Sequence, residues 1–473
     1  MKLLKKIEKF SKSNPNKVAI CLSSKISYSN FWQSAINIAS YLNKKKFNRI
    51  CVLQGKNDDI FSYIIMIATL ICGKTYIPIN NNTPINRVKL IINSSKSEIL
   101  FSQQKISAKF DCKLFLHKDL TKLKKIKKFQ IKNSSQDAYI IYTSGSTGIP
   151  KGVRISRKSL DHYILWISNS FFKNKKIRCS QHPGIGFDLS VADIFGTLCN
   201  GGELYPIQNS YDKLFLGKFI KENNISHWVS VPSAIDLIFS DSKLQKQDFK
   251  SLKKMFFCGE ILKKMHLEKI FKSNSNVKVI NSYGPTEATV SCTSLSLNNK
   301  NYKKFCRPSV SFGKPIKNMK IGFLNRKKKQ GELFISGPQV SRGYTENNIL
   351  NTKKFIKINK VKTFITGDIC KLINGNYYFL NRIDRQVKIL GNRIELDEID
   401  RLIEDLKNIT SHSIIHKNKI YTFFNSNSLR GKLNLNLKEY LPKYMLPSKI
   451  IRIKKWPKNI NQKVDEKKLI NLI

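Results

Sequence analysis

The sequence predicts an α/β protein with a largely parallel sheet and more than one folding unit, on three observations. At 473 residues the chain exceeds what one ordinary hydrophobic core organises, so two or three units are expected. Strand-like and helix-like segments alternate through the first eighty residues. A short apolar run, Ala138 to Tyr142, then delivers a loop rich in glycine and hydroxyls at what reads as a strand end.

The start, MKLLKKIEKFSK, is basic and amphipathic and lacks the apolar stretch of a secretory leader. Lys25 to Lys45 begins as a strand and continues as a helix, with Phe31, Ala35, Ile38 and Leu42 at helical spacing. RICVLQG (Arg49 to Gly55) reads as a buried strand. Ile60 to Cys72 is too short and interrupted to span a bilayer and reads as a buried helix ending at Gly73, followed by the strand KTYIPIN (Lys74 to Asn80).

The apolar share, 41%, suffices for large cores, but 85 Lys+Arg against 32 Asp+Glu give a formal charge of +53. Such a balance commonly marks nucleic-acid or acidic-membrane partners. Here the lysines are spread along the whole chain among abundant Ile and Asn, and no aromatic-basic motif interrupts them. Neither nucleic acid nor a membrane is therefore expected as a partner, and Lys118 to Phe129 and Asn325 to Glu332 read as solvated faces or turns. Ten cysteines without a C-x-x-C pair point to reduced thiols and a cytoplasmic location.

The loop is YTSGSTGIPKGV (Tyr142 to Val153). Gly145, Gly148 and Gly152 permit tight turns, Thr143, Ser144, Ser146 and Thr147 supply hydroxyls, and Lys151 supplies a charge, which is the chemistry of a phosphate cradle. It is not a Walker loop, since Pro150 and Gly152 stand at positions that pattern reserves for Gly and for Ser or Thr. From composition alone it also reads as a flexible connection. The segment closely resembles the signature loop of the adenylate-forming enzymes, which include acyl-CoA ligases and the amino-acid adenylation domains of nonribosomal peptide synthesis. The resemblance implies that Thr143, Ser144, Gly145, Ser146, Thr147, Gly148 and Lys151 bind ATP. It also implies a large, multi-subdomain adenylate-forming domain over residues 1–383 and a small mobile α+β domain over 384–473. Leu70 to Asn80 resembles an early structural element of the same family.

In GFDLSVADIFGTLCNGGEL (Gly186 to Leu204), Val191, Ile194, Phe195 and Leu198 follow a helical period, so Asp188 and Ser190 fall at a helix start, where either serves as a cap. Amino-acid adenylation domains carry an Asp in this FD-x-S context to bind the substrate's α-ammonium by charge-assisted hydrogen bonding. Acyl-CoA ligases generally lack it, so Asp188 argues for an amino acid over a fatty acid.

MFFCGEIL (Met255 to Leu262) and VKVINSYGPTEATVSCTSL (Val277 to Leu295) form the second strong match. VKVIN reads as a strand and SYGPTEA as a turn into extended chain. By resemblance Asn281, Ser282, Tyr283, Gly284, Pro285 and Thr286 pack on adenine and reach the α-phosphate, and Glu287 holds Mg²⁺. The wording FFCGE with NSYGPTEATVSCTS looks closer to D-alanine:carrier-protein ligases, in which residues matching Cys258 and Val290 line a pocket for a short side chain. Both also suit an ordinary core.

Gly331 to Tyr344 reads as strand, turn and loop without side-chain chemistry. TFITGDIC (Thr363 to Cys370) places Asp368 just after a strand, where the family uses an Asp on both ribose hydroxyls. INGNYYF (Ile373 to Phe379) reads as a hairpin with an Asn-Gly turn. Leu380 to Asp400 resembles the family's hinge: Asn381 replaces the usual Gly, Arg382 approaches ATP, Asp384 is the pivot, and Gly391 faces the pantetheine channel between two strands. NINQKVDEKKL resembles the terminal loop, with Gln462 in place of a Gly and Lys463 as the catalytic, ATP-contacting lysine. The stretch from Asp400 to Leu441 is short for the family.

The expected function is ATP- and Mg²⁺-dependent activation of a small amino acid, D-alanine first, and its transfer to the phosphopantetheine thiol of a separate carrier protein. The alternatives are a stand-alone nonribosomal-peptide-type enzyme for another amino acid, and an acyl-CoA or acyl-AMP ligase. A basic nucleic-acid-binding protein or an inactive relative is the non-enzyme alternative.

Overall fold

The alternation of strand and helix resolves into two large sheets. In a computed structural model that describes residues 1–45, 47–145, 149–173, 176–307, 309–325, 329–407, 409–425, 437–458 and 464–473, the chain divides into two units. The first comprises Met1–Asn81, Ile92–Ile141 and Gly152–Ile383; the second comprises Asn82–Ile91, Tyr142–Lys151 and Asp384–Ile473.

The first unit contains a nine-stranded sheet in the order Lys314–Pro315, Thr293–Leu297, Lys278–Asn281, Lys254–Phe257, His227–Ser230, Arg178–Gln181, Glu203–Pro206, Val18–Cys21, Lys25–Ser27. Its central pairings, from Lys278–Asn281 across to Val18–Cys21, are all parallel, and the outer ones are antiparallel. Parallel neighbours need a crossover, supplied here by helices such as Ser190–Leu198, Leu216–Glu222 and Lys264–Ser273. The register pairs Ser230 with Phe257 and Phe257 with Asn281, so three strands end level and their following loops leave one edge.

A six-stranded sheet orders Lys113–Leu116, Ile99–Ser102, Arg49–Leu53, Thr75–Ile79, Asp137–Thr143 and Lys151–Ser156. The helix Tyr28–Lys44 buries Phe31, Ala35, Ile38 and Leu42, and Ser27 caps it by accepting from the Asn30 N–H. Phe61–Ile71 is buried on almost every side, which explains its uninterrupted apolar character. It ends where Gly73 takes a φ of +79°. Among the described residues no helix is long and apolar enough to cross a membrane. All ten cysteines are free thiols.

A five-stranded sheet completes the unit: Lys320–Phe323, Gln330–Ser336, Val361–Ile373 and Phe355–Ile358 in order, with Asn376–Arg382 also paired to Val361–Ile373. Asp368 therefore lies inside a thirteen-residue strand and not just after one. Gly367, at φ +79°, and a register shift between Ile369 and Cys370 let the strand bend and continue where the sequence suggested a stop. The hairpin to Asn376–Arg382 turns at Asn374 and Gly375, both with positive φ as a two-residue I′ turn requires.

In the second unit the strands Gln386–Ile389 and Asn392–Glu395 flank Leu390 and Gly391, and the helix Leu396–Lys407 follows. Thr410–His416, Lys419–Asn425 and Lys449–Arg452 make a three-stranded sheet. Ile394, Ile399, Ile403, Ile420, Phe424 and Met445 form its main core.

Trp228 is wholly buried under the nine-stranded sheet's helices, and its indole N–H donates to Ser230 Oγ at 2.8 Å. Trp228→Ala is expected to cost about 3–5 kcal/mol, read as an earlier urea midpoint for the first unit.

Candidate active site

The level strand ends set the first part of the site. Cys258 follows Phe257, and Ser282 to Val290 follow Asn281. Asn281 Nδ2 donates to the Ser311 carbonyl at 2.8 Å, Ser282 Oγ to the Thr293 carbonyl, and the Tyr283 N–H to Thr293 Oγ1 at 2.9 Å, so the loop is fastened to the next strand. Gly284 is obligatory: a Cβ there would lie 2.5 Å from Ser291 Cα and 2.9 Å from the Val290 carbonyl oxygen. After the single turn Thr286–Ala288, Thr289 and Val290 take φ of +58° and +68°. For β-branched residues this is a strained conformation that surrounding contacts must enforce. Thr289 Oγ1 donates to the Gln339 carbonyl at 2.6 Å, and the Ser341 N–H donates to the Glu287 carbonyl at 2.8 Å.

Cys258 is buried with its Sγ 3.7 Å from the Val290 carbonyl oxygen. Burial, then the neighbouring Cys258 thiol, pushes the Tyr163 phenol well above its ordinary pKa, against a lowering by Ser291 and with a smaller rise from Asp188. Burial, Tyr76 and Asp188 do the same to Tyr139. Cys258 and Asp188 thus both act on the Tyr163 phenol, and the Val290 carbonyl lies against Cys258. Asp188 and Ser190 do not cap the helix Ser190–Leu198 with their side chains: its N-cap is Leu189, and Ser190 Oγ donates instead to the Phe187 carbonyl at 2.7 Å.

Asp368 is nearly inaccessible, and its two carboxylate oxygens accept from the Tyr283 hydroxyl and the Arg382 guanidinium. Burial first, then the Asp368 charge, raises the Tyr283 phenol, which keeps it protonated as the donor. The Tyr283 ring lies on Phe312 at 4.6 Å between centroids. Glu287 is fully buried with Oε1 accepting from the Tyr344 hydroxyl at 2.7 Å. The sequence reading passed over Phe312 and Tyr344. The signal for Tyr344 was its place directly after Gly343, whose φ of +113° turns the chain; Phe312 carries no local signal.

The signature loop belongs to the second unit. Ser144 Oγ donates to the Arg393 carbonyl at 2.9 Å, the Gly145 N–H to Glu398 Oε2 at 2.9 Å, and Lys151 Nζ to Glu395 Oε1 at 3.1 Å. Thr143 Oγ1 is buried without a hydrogen-bond partner among the described residues. A backbone N–H and an ammonium that both take carboxylate oxygens have the donor chemistry that an anionic phosphate needs. Asp384 is exposed. Ser146, Thr147, Gly148 and Lys463 lie outside the described residues.

The AMP-binding enzyme family matches residues 7–345. This chain belongs to that family. Curated relatives called D-alanine--D-alanyl carrier protein ligase are 30% identical in Lactococcus lactis subsp. lactis (strain IL1403), over 99% of this chain and 98% of the relative, and 30% identical in Bacillus licheniformis, over 99% of both. The Staphylococcus aureus ligase of the same name is 28% identical over 100% and 99%. Among solved structures, the Vibrio cholerae adenylation domain AlmE in complex with glycyl-adenosine-5'-phosphate superposes with a TM-score of 0.84 at 23% identity, over 100% of this chain and 96% of that one. The o-succinylbenzoate CoA synthetase of Bacillus subtilis reaches 0.83 at 17% identity, over 98% of both. At these identities the structures establish the shared fold, and a fold common to an adenylation domain and a CoA synthetase leaves the substrate to the site's own residues.

Because a Cβ at position 284 meets backbone and no flexible side chain, Gly284→Ala is expected to destabilise the first unit by about 1–3 kcal/mol, measured as a lowered thermal midpoint.

Proposed function

We propose that this AMP-forming ligase activates a small amino acid, D-alanine in the first instance, and transfers it to the phosphopantetheine thiol of a separate carrier protein. The observation that carries the reading is nearly full-length likeness to ligases of that name in three bacteria. The buried Cys258 beside the strained Val290, and the Asp188 carboxylate acting on the same Tyr163, support it as a thiol and a valine for a short side chain and a carboxylate for an α-ammonium.

In the first step the substrate carboxylate oxygen attacks the α-phosphorus of ATP, forming the mixed anhydride and expelling pyrophosphate. Asp368 takes the ribose hydroxyls, so its bonds to Tyr283 and Arg382 rearrange as the nucleotide enters. The Tyr283 ring, backed by Phe312, offers the adenine a flat face. The Thr143 to Lys151 loop, Arg382 and Lys463 offset the charge on the phosphates, positioning and electrostatics being the main sources of rate. In the second step the carrier thiolate attacks the acyl carbon and AMP leaves. Asp384 is the pivot on which the small lysine-bearing segment 384–473 turns between the steps.

Glu287 fits a Mg²⁺ role: its carboxylate would supply one hard oxygen ligand. Among the described residues no group of three or more His, Cys, Asp or Glu gathers to hold a metal unaided. When bound, Mg²⁺ would neutralise phosphate charge, and the Tyr344 hydroxyl on Oε1 would orient the Glu287 carboxylate towards it.

The test is amino-acid-dependent exchange of labelled pyrophosphate into ATP across D- and L-amino acids and short fatty acids. Exchange with D-alanine, lost in Lys463→Ala, is the expected outcome. Exchange with another amino acid alone would overturn the D-alanine assignment, and exchange with fatty acids alone would overturn the role of Asp188. Asp368→Asn removes the negative partner of Arg382 and the ribose acceptor together; charged hydrogen bonds of about 1.5–3 kcal/mol put the expected rise in KM for ATP at roughly 10- to 100-fold, with KM for the amino acid little changed.

A further inference from the structure

Arg385 follows the pivot position directly and is joined to three separate elements of the second unit. Nη1 donates to Asp397 Oδ1 at 2.5 Å and Asp400 Oδ2 at 2.9 Å, at the start of the helix Leu396–Lys407. Nη2 donates to the Ser413 carbonyl of the strand Thr410–His416 at 2.5 Å. Nε lies 3.9 Å from Glu466 Oε1, at the start of the helix Glu466–Ile470. Asp400 is itself fixed, its Oδ1 accepting from Ser413 Oγ at 2.6 Å, and Ser413 Oγ also meets Thr422 Oγ1 at 2.7 Å. Glu466 Oε1 meets His412 Nε2 at 3.1 Å. The His412 hydrogen bond, opposed by partial burial and helped by the charges of His412 and Arg385, holds Glu466 below its ordinary pKa.

In a protein with 32 acidic residues against 85 lysines and arginines, three carboxylates converging on one arginine is a concentration that the composition does not produce by itself. Arg385 also pairs with a residue near the far end of the chain segment that begins at the pivot. It is one residue past Asp384, and Glu466 is three residues past Lys463. The residues on either side of that lysine's stretch are tied down as well. Lys458 and Val464 form an antiparallel bridge, the Asp465 N–H donates to the Pro457 carbonyl at 2.8 Å, and Leu469 is fully buried among Ile414, Phe423 and Ile453.

We propose that Arg385 is a positioning residue for adenylate formation: its guanidinium holds the residue after the pivot to the helix Leu396–Lys407, the strand Thr410–His416 and the helix Glu466–Ile470, so that turning at Asp384 carries with it the helix that begins three residues after Lys463 in the sequence. The inference rests on the proposed function and adds to it a residue that touches neither ATP nor amino acid. A planar guanidinium suits the task because it directs donors along several fixed axes, whereas an ammonium is a point charge on a flexible stem.

The experiment uses the full chain with Arg385→Gln and Arg385→Lys. It measures pyrophosphate exchange and, separately, transfer to pantetheine thiol from supplied D-alanyl-adenylate. Misplacement by about an ångström costs up to about 100-fold, so kcat for exchange is expected to fall roughly 10- to 100-fold in both variants, with both KM values and the transfer rate held within about twofold. Exchange and transfer falling together with the thermal midpoint would overturn the proposal in favour of a purely structural role, as would exchange unchanged in Arg385→Gln. Lys463→Ala separates the two levels: if it leaves exchange intact, the assignment of the lysine fails, and if it abolishes exchange while Arg385→Gln does not, only the coupling by Arg385 fails.

Discussion

Parallel strands that end in register are the constraint on which this protein's chemistry depends. Ser230, Phe257 and Asn281 are neighbours across the sheet, and the chain must leave each of them at the same edge before a crossover helix can return it. Cys258 and the Ser282 to Val290 loop are consequently brought together by hydrogen bonds made elsewhere, in the body of the sheet. The site needs no long connections of its own to assemble.

Electrostatic isolation is the second theme. The chain carries a large positive excess, yet the acidic groups that matter are each enclosed with chosen donors: Asp368 with Tyr283 and Arg382, Glu287 with Tyr344, Asp400 with Arg385 and Ser413. Burial removes water's screening, so a paired donor fixes both the charge and the direction of each carboxylate. The lysines on the Lys118 to Phe129 strap remain in solvent, while its Leu123, Ile126 and Phe129 pack inward, which is the division a solvated face requires.

What was legible in the sequence was whatever local pattern determines. The helical spacing of Phe31 to Leu42, the apolar strand before the signature loop, the Asn374–Gly375 turn and the Gly391 turn all follow from residues within a few positions of one another. Asp368 was misplaced relative to its strand because Gly-Asp is ordinarily a turn signal, and only the partner strands decide whether a glycine of positive φ ends a strand or bends it. The helix cap expected of Ser190 or Asp188 was displaced by carbonyls of the preceding turn, a competition settled by geometry. Tyr344 against Glu287 and Arg385 against Ser413 and Glu466 join residues 57, 28 and 81 positions apart, beyond the reach of any periodicity.

The left-handed step at Thr289 and Val290 bears on how a lineage of such proteins could change its diet. A loop held by backbone hydrogen bonds and by a glycine that tolerates no side chain cannot drift gradually in shape, since inserting or deleting one residue would release the strain and shift Glu287 along with it. Side-chain volume at Cys258 and Val290 can drift, one methyl group at a time, on an unmoved scaffold. Descendants would be expected to vary in side-chain volume at these two positions and to leave the loop's length untouched.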